Sequence, residues 1–472
     1  MSIKNLGKES LIYGTGHVLA RLVTFFLLPI YTHVFTPEEY GVISLAYAFI
    51  GIALMIYRYG MDTALMKYSV QLSDNEKITH ISTIYLLQLF SSAVFSGLLF
   101  LIRNHVSEII LGVVKPEWII ILSGILFLDN LWNHHVLLLR AENKPFLYIF
   151  FSLGNVILTM GFNILFVIKW GMGIEGVLIS NLMASGFIFI SSMPVVIKKI
   201  KLLQIRSEVV KNILSFALPF LPAGIFTMIM ELSNRYMLEW FEGTYAVGLF
   251  SAGYKLGIFG LIIVMGFNMG WTPYFLKRIK EKGAKVDFSS IASLFLGFLG
   301  FVVVLVSLWS SEIVRFNIGT YHLIGRNYWG AEKIIPIVLL GYFFFGTYII
   351  QLPGIYSKKI TRWVPVFRAI GAITNIFLNI LLIPQYGIVG SACATVVAFL
   401  LMSLSIYVKL YKIYFVRYNW LALCYPVFFI LLTFLPINTL LLRLAITVSY
   451  LLGWYYLVLN NHERSTIKSL LS

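Results

Sequence analysis

The sequence predicts an all-α integral membrane protein with about 14 transmembrane helices. Three observations predict it. Of 472 residues, 59% are hydrophobic and only 12% are charged, against about 45–50% and about 25% in ordinary soluble domains. The apolar residues gather into long runs, each near the roughly 20 residues that a membrane-crossing helix needs. The lysines and arginines between the runs fall mostly on alternate loops, as they do in helical membrane proteins. This composition excludes a soluble enzyme, a disordered chain and a nucleic-acid-binding domain, despite a net charge of +16. Long unbroken runs also exclude an outer-membrane barrel, whose strands alternate.

The runs fall near 10–35, 41–66, 80–102, 117–139, 146–168 and 175–197, then near 213–240, 246–275, 288–312, 334–356, 364–384 and 387–408. Two more follow near 420–435 and 440–459, the first shortened by Pro426 and Pro436. The opening run is too long for a signal-peptide core and has no small-residue cleavage site, so it reads as a retained first helix. Cys393 and Cys424 sit in apolar runs, away from any CxxC or Cys/His cluster, and read as small apolar fillers.

Of the 36 lysines and arginines, 24 lie on loops sharing a side with the N-terminus, 6 on the opposite loops and 6 within runs. That asymmetry places both termini in the cytoplasm and explains most of the excess charge as a topology signal. Trp118, Trp170, Trp240, Trp271, Trp329, Trp363 and Trp420 lie near run ends, as an interfacial belt would.

The chain also repeats itself. Gly41-Val42-Ile43-Ser44-Leu45-Ala46-Tyr47 corresponds to Gly248-Leu249-Phe250-Ser251-Ala252-Gly253-Tyr254 at an offset of 207. Asn163-Ile164-Leu165 with Gly171 corresponds to Asn379-Ile380-Leu381 with Gly387 at an offset of 216. Both matches join run n to run n+6. An even offset preserves direction through the membrane, so the repeat is parallel, an arrangement in which substrates bind between halves that rock against each other. The expected division is 1–205 and 206–412 as six-helix halves, with 413–472 carrying the last two helices and a cytoplasmic tail.

The basic residues inside the runs are Arg21, Arg58, Arg235, Lys255, Arg368 and Arg443. A charge at mid-membrane costs on the order of 2.5–3.5 kcal/mol, so it faces a cavity or a partner. Arg58 has Asp62 one turn on, and Arg235 has Glu231 and Glu239 one turn either side, spacings that make intramembrane ion pairs. Arg21 and Lys255 lie near mid-depth, with no acidic residue at helical spacing; His17 precedes Arg21 by one turn. They are the expected cavity cations for an anionic substrate. Arg368 and Arg443 lie near run ends and are expected to snorkel. Asp129, His134, His135 and Glu175 read as satisfied polar groups between helices, with Asp129 or a histidine as a candidate proton carrier. Pro29 in the first run, and Pro219 and Pro222 in the seventh, are candidate bends and gating points. No Gly-Lys-Ser/Thr nucleotide loop, Gly-x-Ser-x-Gly elbow or DxD cluster occurs.

Ser215-Phe216-Ala217-Leu218-Pro219-Phe220-Leu221-Pro222, Asn234-Arg235-Tyr236 and Tyr245-Ala246-Val247-Gly248 through Lys255 carry a family resemblance. So do Phe35-Thr36-Pro37-Glu38-Glu39-Tyr40-Gly41, Tyr59-Gly60-Met61-Asp62-Thr63-Ala64, and Leu378-Asn379-Ile380-Leu381-Leu382-Ile383-Pro384-Gln385-Tyr386-Gly387 continuing to Thr395. The chain resembles the Wzx-type polysaccharide-biosynthesis flippases of the MOP exporter superfamily. The resemblance implies two six-helix bundles in a V-shaped, MATE-like fold plus two C-terminal helices. It also implies a cationic central cavity and flipping of an undecaprenyl-diphosphate-linked oligosaccharide across the bacterial inner membrane. Asn234 stands where the family has an Asp.

On this reading Arg21, Lys255, Arg58 and Arg235 hold the diphosphate. Asp62, Asp129, Glu231 and His17 are the candidate coupling or ion-pairing groups, for H+ or Na+. No metal and no resident cofactor is expected. Beyond the lipid-linked oligosaccharide and the bilayer, a polysaccharide polymerase and a chain-length regulator are candidate partners; nucleic acid is not. The rival readings are a peptidoglycan-precursor (lipid II) flippase, a drug or cation antiporter, whose cavity would need to be acidic, and a membrane polymerase.

Overall fold

A computed structural model describes residues 25–72, 74–197, 199–201, 206–318, 321–437 and 439–465. His17 and Arg21 lie outside them. Nine helices among the described residues are long and apolar enough to cross a membrane. Two of these segments far exceed one crossing: Ser207–Arg278 has 72 residues and Thr361–Tyr411 has 51, where a bilayer takes about 20. Each is interrupted by a glycine in a non-helical conformation, Gly243 (φ 79°) and Gly387 (φ 53°). Pro116–Ala141 is a further 26-residue helix, and Phe25–Val34 and Trp420–Leu432 are shorter apolar ones. The protein is therefore an all-α, multi-pass membrane protein. Among the described residues one short β-ladder pairs Asn317–Ile318 with Tyr321–His322 in the long loop after residue 315.

The helices used below are α1 (Phe25–Val34), α2 (Pro37–Arg58), α3 (Met61–Gln71), α4 (Asp74–Leu111), α5 (Pro116–Ala141), α6 (Pro145–Asn163) and α7 (Gly173–Ser192). They continue as α8 (Ser207–Ala217), α9 (Leu221–Arg278), α10 (Ala284–Leu308), α11 (Ile335–Ile350), α12 (Val364–Tyr411), α13 (Trp420–Leu432) and α14 (Leu440–Gly453). By packing, the chain forms two compact units, Met1–Gly248 and Leu249–Ser472.

Within the first unit, α2 starts on a complete capping box. The Thr36 hydroxyl accepts from the Glu39 amide, the Glu39 carboxylate accepts from the Thr36 amide, and Pro37 fills the first turn. Its buried residues Val42, Ala46, Ile50, Ala53 and Tyr57 recur at helical spacing. They meet Ile110 and Leu111 of α4, Ile119, Leu122 and Ile125 of α5, and Leu178 of α7. A second core joins Met61, Ala64 and Leu65 of α3 to Ile81 and Ile84 of α4 and to Ile213 and Ala217 of α8. Gly60 allows the sharp α2–α3 turn: its φ is 82°, and a methyl there would lie 2.0 Å from the Ala217 carbonyl oxygen. Outward surfaces are the reverse of a soluble protein's, with Phe90, Leu101, Phe150 and Leu441 strongly exposed, as lipid-facing positions are.

Pro219 lies in a 3-10 turn, Leu218–Phe220, that joins α8 to α9, and Pro222 lies in the first turn of α9, where the missing amide costs nothing. Two expectations change. Trp271 is not interfacial; it is 2% exposed, donates to the Ile349 carbonyl and packs among Phe267, Phe275 and Phe288. Arg443 does not snorkel. It pairs with Glu312, donates to the Ile437 carbonyl at 3.0 Å, and lies over the Trp309 ring.

The repeat is visible in the backbone. Gly171 and Gly387 both take positive φ, 66° and 53°. Asn163 and Asn379 are both fully buried, and each donates its side-chain amide to the carbonyl one turn earlier, of Thr159 and Asn375, at 2.8 Å.

Candidate functional site: a polar cluster inside the first unit

The apolar helices of the first unit enclose a polar cluster. Arg58 ends α2, and the Tyr59–Gly60 turn aims α3 so that Asp62 lies one turn on, with Arg58 Nη1 3.6 Å from its Oδ2. The two side chains are 24% and 31% exposed. Asp62 Oδ1 also accepts from Asn133 Nδ2 of α5 at 3.2 Å. The Arg58 carbonyl accepts from the Gln88 amide of α4 at 3.1 Å. Gln88 Oε1 in turn accepts from Asn130 Nδ2, which also reaches Ser92 Oγ at 2.8 Å.

One turn from Asn133 stands Asp129. Its Oδ1 accepts from Trp132 Nε1 at 2.9 Å and from Ser185 Oγ of α7 at 2.5 Å. His134 is buried, with Nδ1 3.2 Å from the Asn130 carbonyl; that contact requires Nδ1 to carry the proton. His135 is fully satisfied, bonded to Ser192 Oγ at 2.7 Å and to the Tyr85 hydroxyl at 3.3 Å, and stacked between Tyr85 and Phe189. Three atoms of this cluster are buried without a hydrogen-bond partner: Arg58 Nε, Asn130 Oδ1 and His134 Nε2. Buried polar atoms without partners are uncommon and mark strain or a ligand-competent place.

The structure thus brings together Arg58, Asp62 and Asp129. Arg235 Nη1 donates to the Glu231 carbonyl at 3.0 Å, and both residues have further partners. Lys255 lies half-buried in the second unit and engages a neighbouring group although no acid lies at helical spacing. Pro29 lies within α1, its carbonyl accepting from Thr32 Oγ1 at 3.1 Å. Sequence reading passed over Gln88, Ser92, Asn130, Asn133 and Ser185. The available signal was the presence of amide side chains in runs otherwise apolar, at positions 88, 130 and 133.

Outside the spans, Glu142 receives both Lys144 (2.9 Å) and Lys199. Burial pushes its carboxyl up, but the hydrogen bonds and charges of the two ammonium groups outweigh that and hold it below the usual carboxylate range. Groups of three or more His, Cys, Asp or Glu suited to a metal do not occur among the described residues.

A multi-pass helical bundle with ionisable groups held between its helices is the class of membrane protein the fold and site define, and such groups mark functional sites. The polysaccharide biosynthesis protein family matches residues 6–279, more than half of the chain, and the protein belongs to that family. Solved structures agree on the fold. The lipid II flippase MurJ in an inward closed conformation aligns with a TM-score of 0.77 at 16% identity, covering 98% of this chain and 100% of its own. An inward-facing multidrug resistance MATE family transporter of the MOP superfamily aligns at 0.64 and 13% identity, over 83% and 97%. A MOP superfamily transporter from Pyrococcus furiosus, described as having a binding pocket of reverse polarity, aligns at 0.60 and 13%, over 86% and 94%. Curated protein sequences yield no match. The family expected from the sequence is therefore the one that matches, and the fold is shared with the flippase and transporter structures above.

Proposed function

We propose that the protein flips an undecaprenyl-diphosphate-linked oligosaccharide, the repeat unit of an O-antigen, capsule or related surface polysaccharide, from the cytoplasmic to the outer leaflet of a bacterial inner membrane. It does so by alternating access, with fourteen crossings, both termini cytoplasmic, and 1–205 and 206–412 as the moving halves. Arg58 carries this reading. Its pairing with Asp62 is long at 3.6 Å and the side chain is partly exposed, so the guanidinium keeps donor capacity for an anion. Charge-assisted contacts to phosphate are about twice as strong as neutral ones. Arg21, Lys255 and Arg235 are the further cations of the proposed path.

Release on the outer side requires a state that binds the diphosphate less tightly, so H+, Na+ or the membrane potential must favour that state. Asp62, Asp129, Glu231 and His17 are the candidate coupling groups. A polymerase and a chain-length regulator would act on the product. The likeness to MurJ over the whole chain supports a second reading, in which the headgroup is that of lipid II.

The test is replacement of Arg21, Lys255 or Arg58 by Ala in a strain lacking the chromosomal copy. Surface polysaccharide should be lost while the protein stays in the membrane; unchanged polysaccharide in all three variants sinks the proposal. Proteoliposomes carrying either lipid II or a diphosphate-linked oligosaccharide separate the two headgroups.

A further inference from the structure

The internal repeat meets itself at one point. Gly41 and Gly248 are repeat counterparts, and so are Pro37 and Thr244 at the same offset. A methyl group on Gly41 would lie 1.9 Å from the Thr244 carbonyl oxygen; one on Gly248 would lie 1.9 Å from the Pro37 carbonyl oxygen. The contact is reciprocal: the start of α2 and the part of α9 that follows the Gly243 break each present a glycine to a carbonyl of the other. All four residues lie within the first unit. Backbones approach this closely only where both helices offer small residues, and Cα–H groups then face carbonyl oxygens.

The two sides differ mechanically. On one, the capping box and Pro37 stiffen the first turn of α2. On the other, Thr244 directly follows Gly243, whose φ of 79° and ψ of 179° belong to glycine alone. No atom lies within 4 Å of where a Gly243 side chain would begin, so that position is strained in backbone yet sterically free. Gly112 at the end of α4, φ 69°, closes the seam: a methyl there would lie 2.9 Å from Thr244 Cγ2.

We infer that Gly41 and Gly248 form a two-fold latch, with Gly243 as its hinge, that keeps the outer ends of these two helices together and parts when the transporter opens outward. The inference rests on the proposed orientation, in which residues 37–41 and 244–248 lie at the outer surface. Packed contacts of this kind switch between discrete states rather than deforming continuously. No single side chain larger than hydrogen fits the closed state at either glycine without backbone movement.

The experiment places spin labels at Glu38→Cys and Tyr245→Cys, both exposed positions flanking the seam. The chain carries Cys393→Ala and Cys424→Ala and is held in lipid nanodiscs. The parent pair should give one short, narrow distance. Gly41→Ala and Gly248→Ala should each lengthen and broaden it, and by reciprocity to the same extent. Gly97→Ala, where nothing lies within 4 Å, should leave it unchanged. A parent distribution retained in both seam variants overturns the latch, as does lengthening in Gly97→Ala of the same size. Should the seam variants fail to fold, Gly243→Ala, which meets no neighbour, takes their place. A shift supports the hinge; an unaltered distribution overturns it. The measurement needs no substrate. A latch that opens in the variants but ignores added undecaprenyl diphosphate would sink the proposed substrate and leave the latch standing.

Discussion

The two units bury polarity differently. Inside the first, a guanidinium–carboxylate pair, a second carboxylate and a chain of amides share one cluster, from Arg58 and Asp62 through Asn133 to Asp129. Inside the second, much of the buried polarity is neutral. Tyr342 and Tyr254 join hydroxyls at 2.8 Å, the Gln351 amide reaches Thr347 and Ser403, and Asn375 reaches Thr395. Three of its ion pairs, Arg278–Asp287, Arg315–Glu332 and Arg443–Glu312, sit at helix ends. Yet the halves of the repeat share the Asn163/Asn379 back-bond and the Gly171/Gly387 turn. A duplicated backbone can therefore keep its structural hydrogen bonds while charge chemistry diverges. The polar groups that recur are those that serve the helix itself.

The strongest way to break this comparison is at Asp129. Asp129→Ala strands Trp132 Nε1, at about 1–3 kcal/mol, and leaves Ser185 Oγ only long contacts to Asn181 and Asn155. Thermal melting in detergent should drop well below that of Tyr254→Phe, which removes one hydroxyl pair for about 1 kcal/mol. Equal melting points would erase the contrast between the units. The next test concerns Arg58 and Asp62. Because both side chains are partly exposed, a double-mutant cycle with Arg58→Met and Asp62→Asn should give a coupling of only about 0.5–1 kcal/mol. A larger value would mean a structural pair rather than a cation available to substrate.

The shared element is tested by Asn163→Ala and Asn379→Ala. Each should cost about 1 kcal/mol, with Asn163 the costlier because it also accepts from the Tyr31 hydroxyl at 2.8 Å. The smallest effect concerns Glu142. A carboxyl held low in the folded protein contributes stability that is present above its unfolded value, about pH 4.3, and is lost as pH falls through the folded value. Between pH 7 and pH 5 the contribution should stay constant. Below about pH 4.3 it should fade, and Glu142→Gln should then melt like the parent, a convergence readable in paired melting curves.

Much of the fold could be read from the chain. Among the described residues the apolar runs became helices close to their expected places, because burying backbone in lipid leaves a helix as the only local solution. Arg58 and Asp62 were legible as a pair because four residues is one helical turn. Asp129 was legible as a polar residue in an apolar run; its partner Ser185, 56 positions away, was not. Arg443 looked like a snorkelling residue because Glu312 is 131 positions distant. Trp271 looked interfacial because position along a run does not reveal which side of a helix meets the core.

Composition, loop charge and two pairs of matching segments by themselves pointed to a helical membrane protein with an internal repeat, because hydropathy, the side preference of lysine and arginine and residue identity are all read locally along the sequence. Which charges meet, which amides bridge α4 to α5, and how Gly41 and Gly248 come to face each other's backbones were decided only by tertiary structure. Those contacts depend on how helices distant in sequence pack, and packing at 2–4 Å is not encoded in any local period.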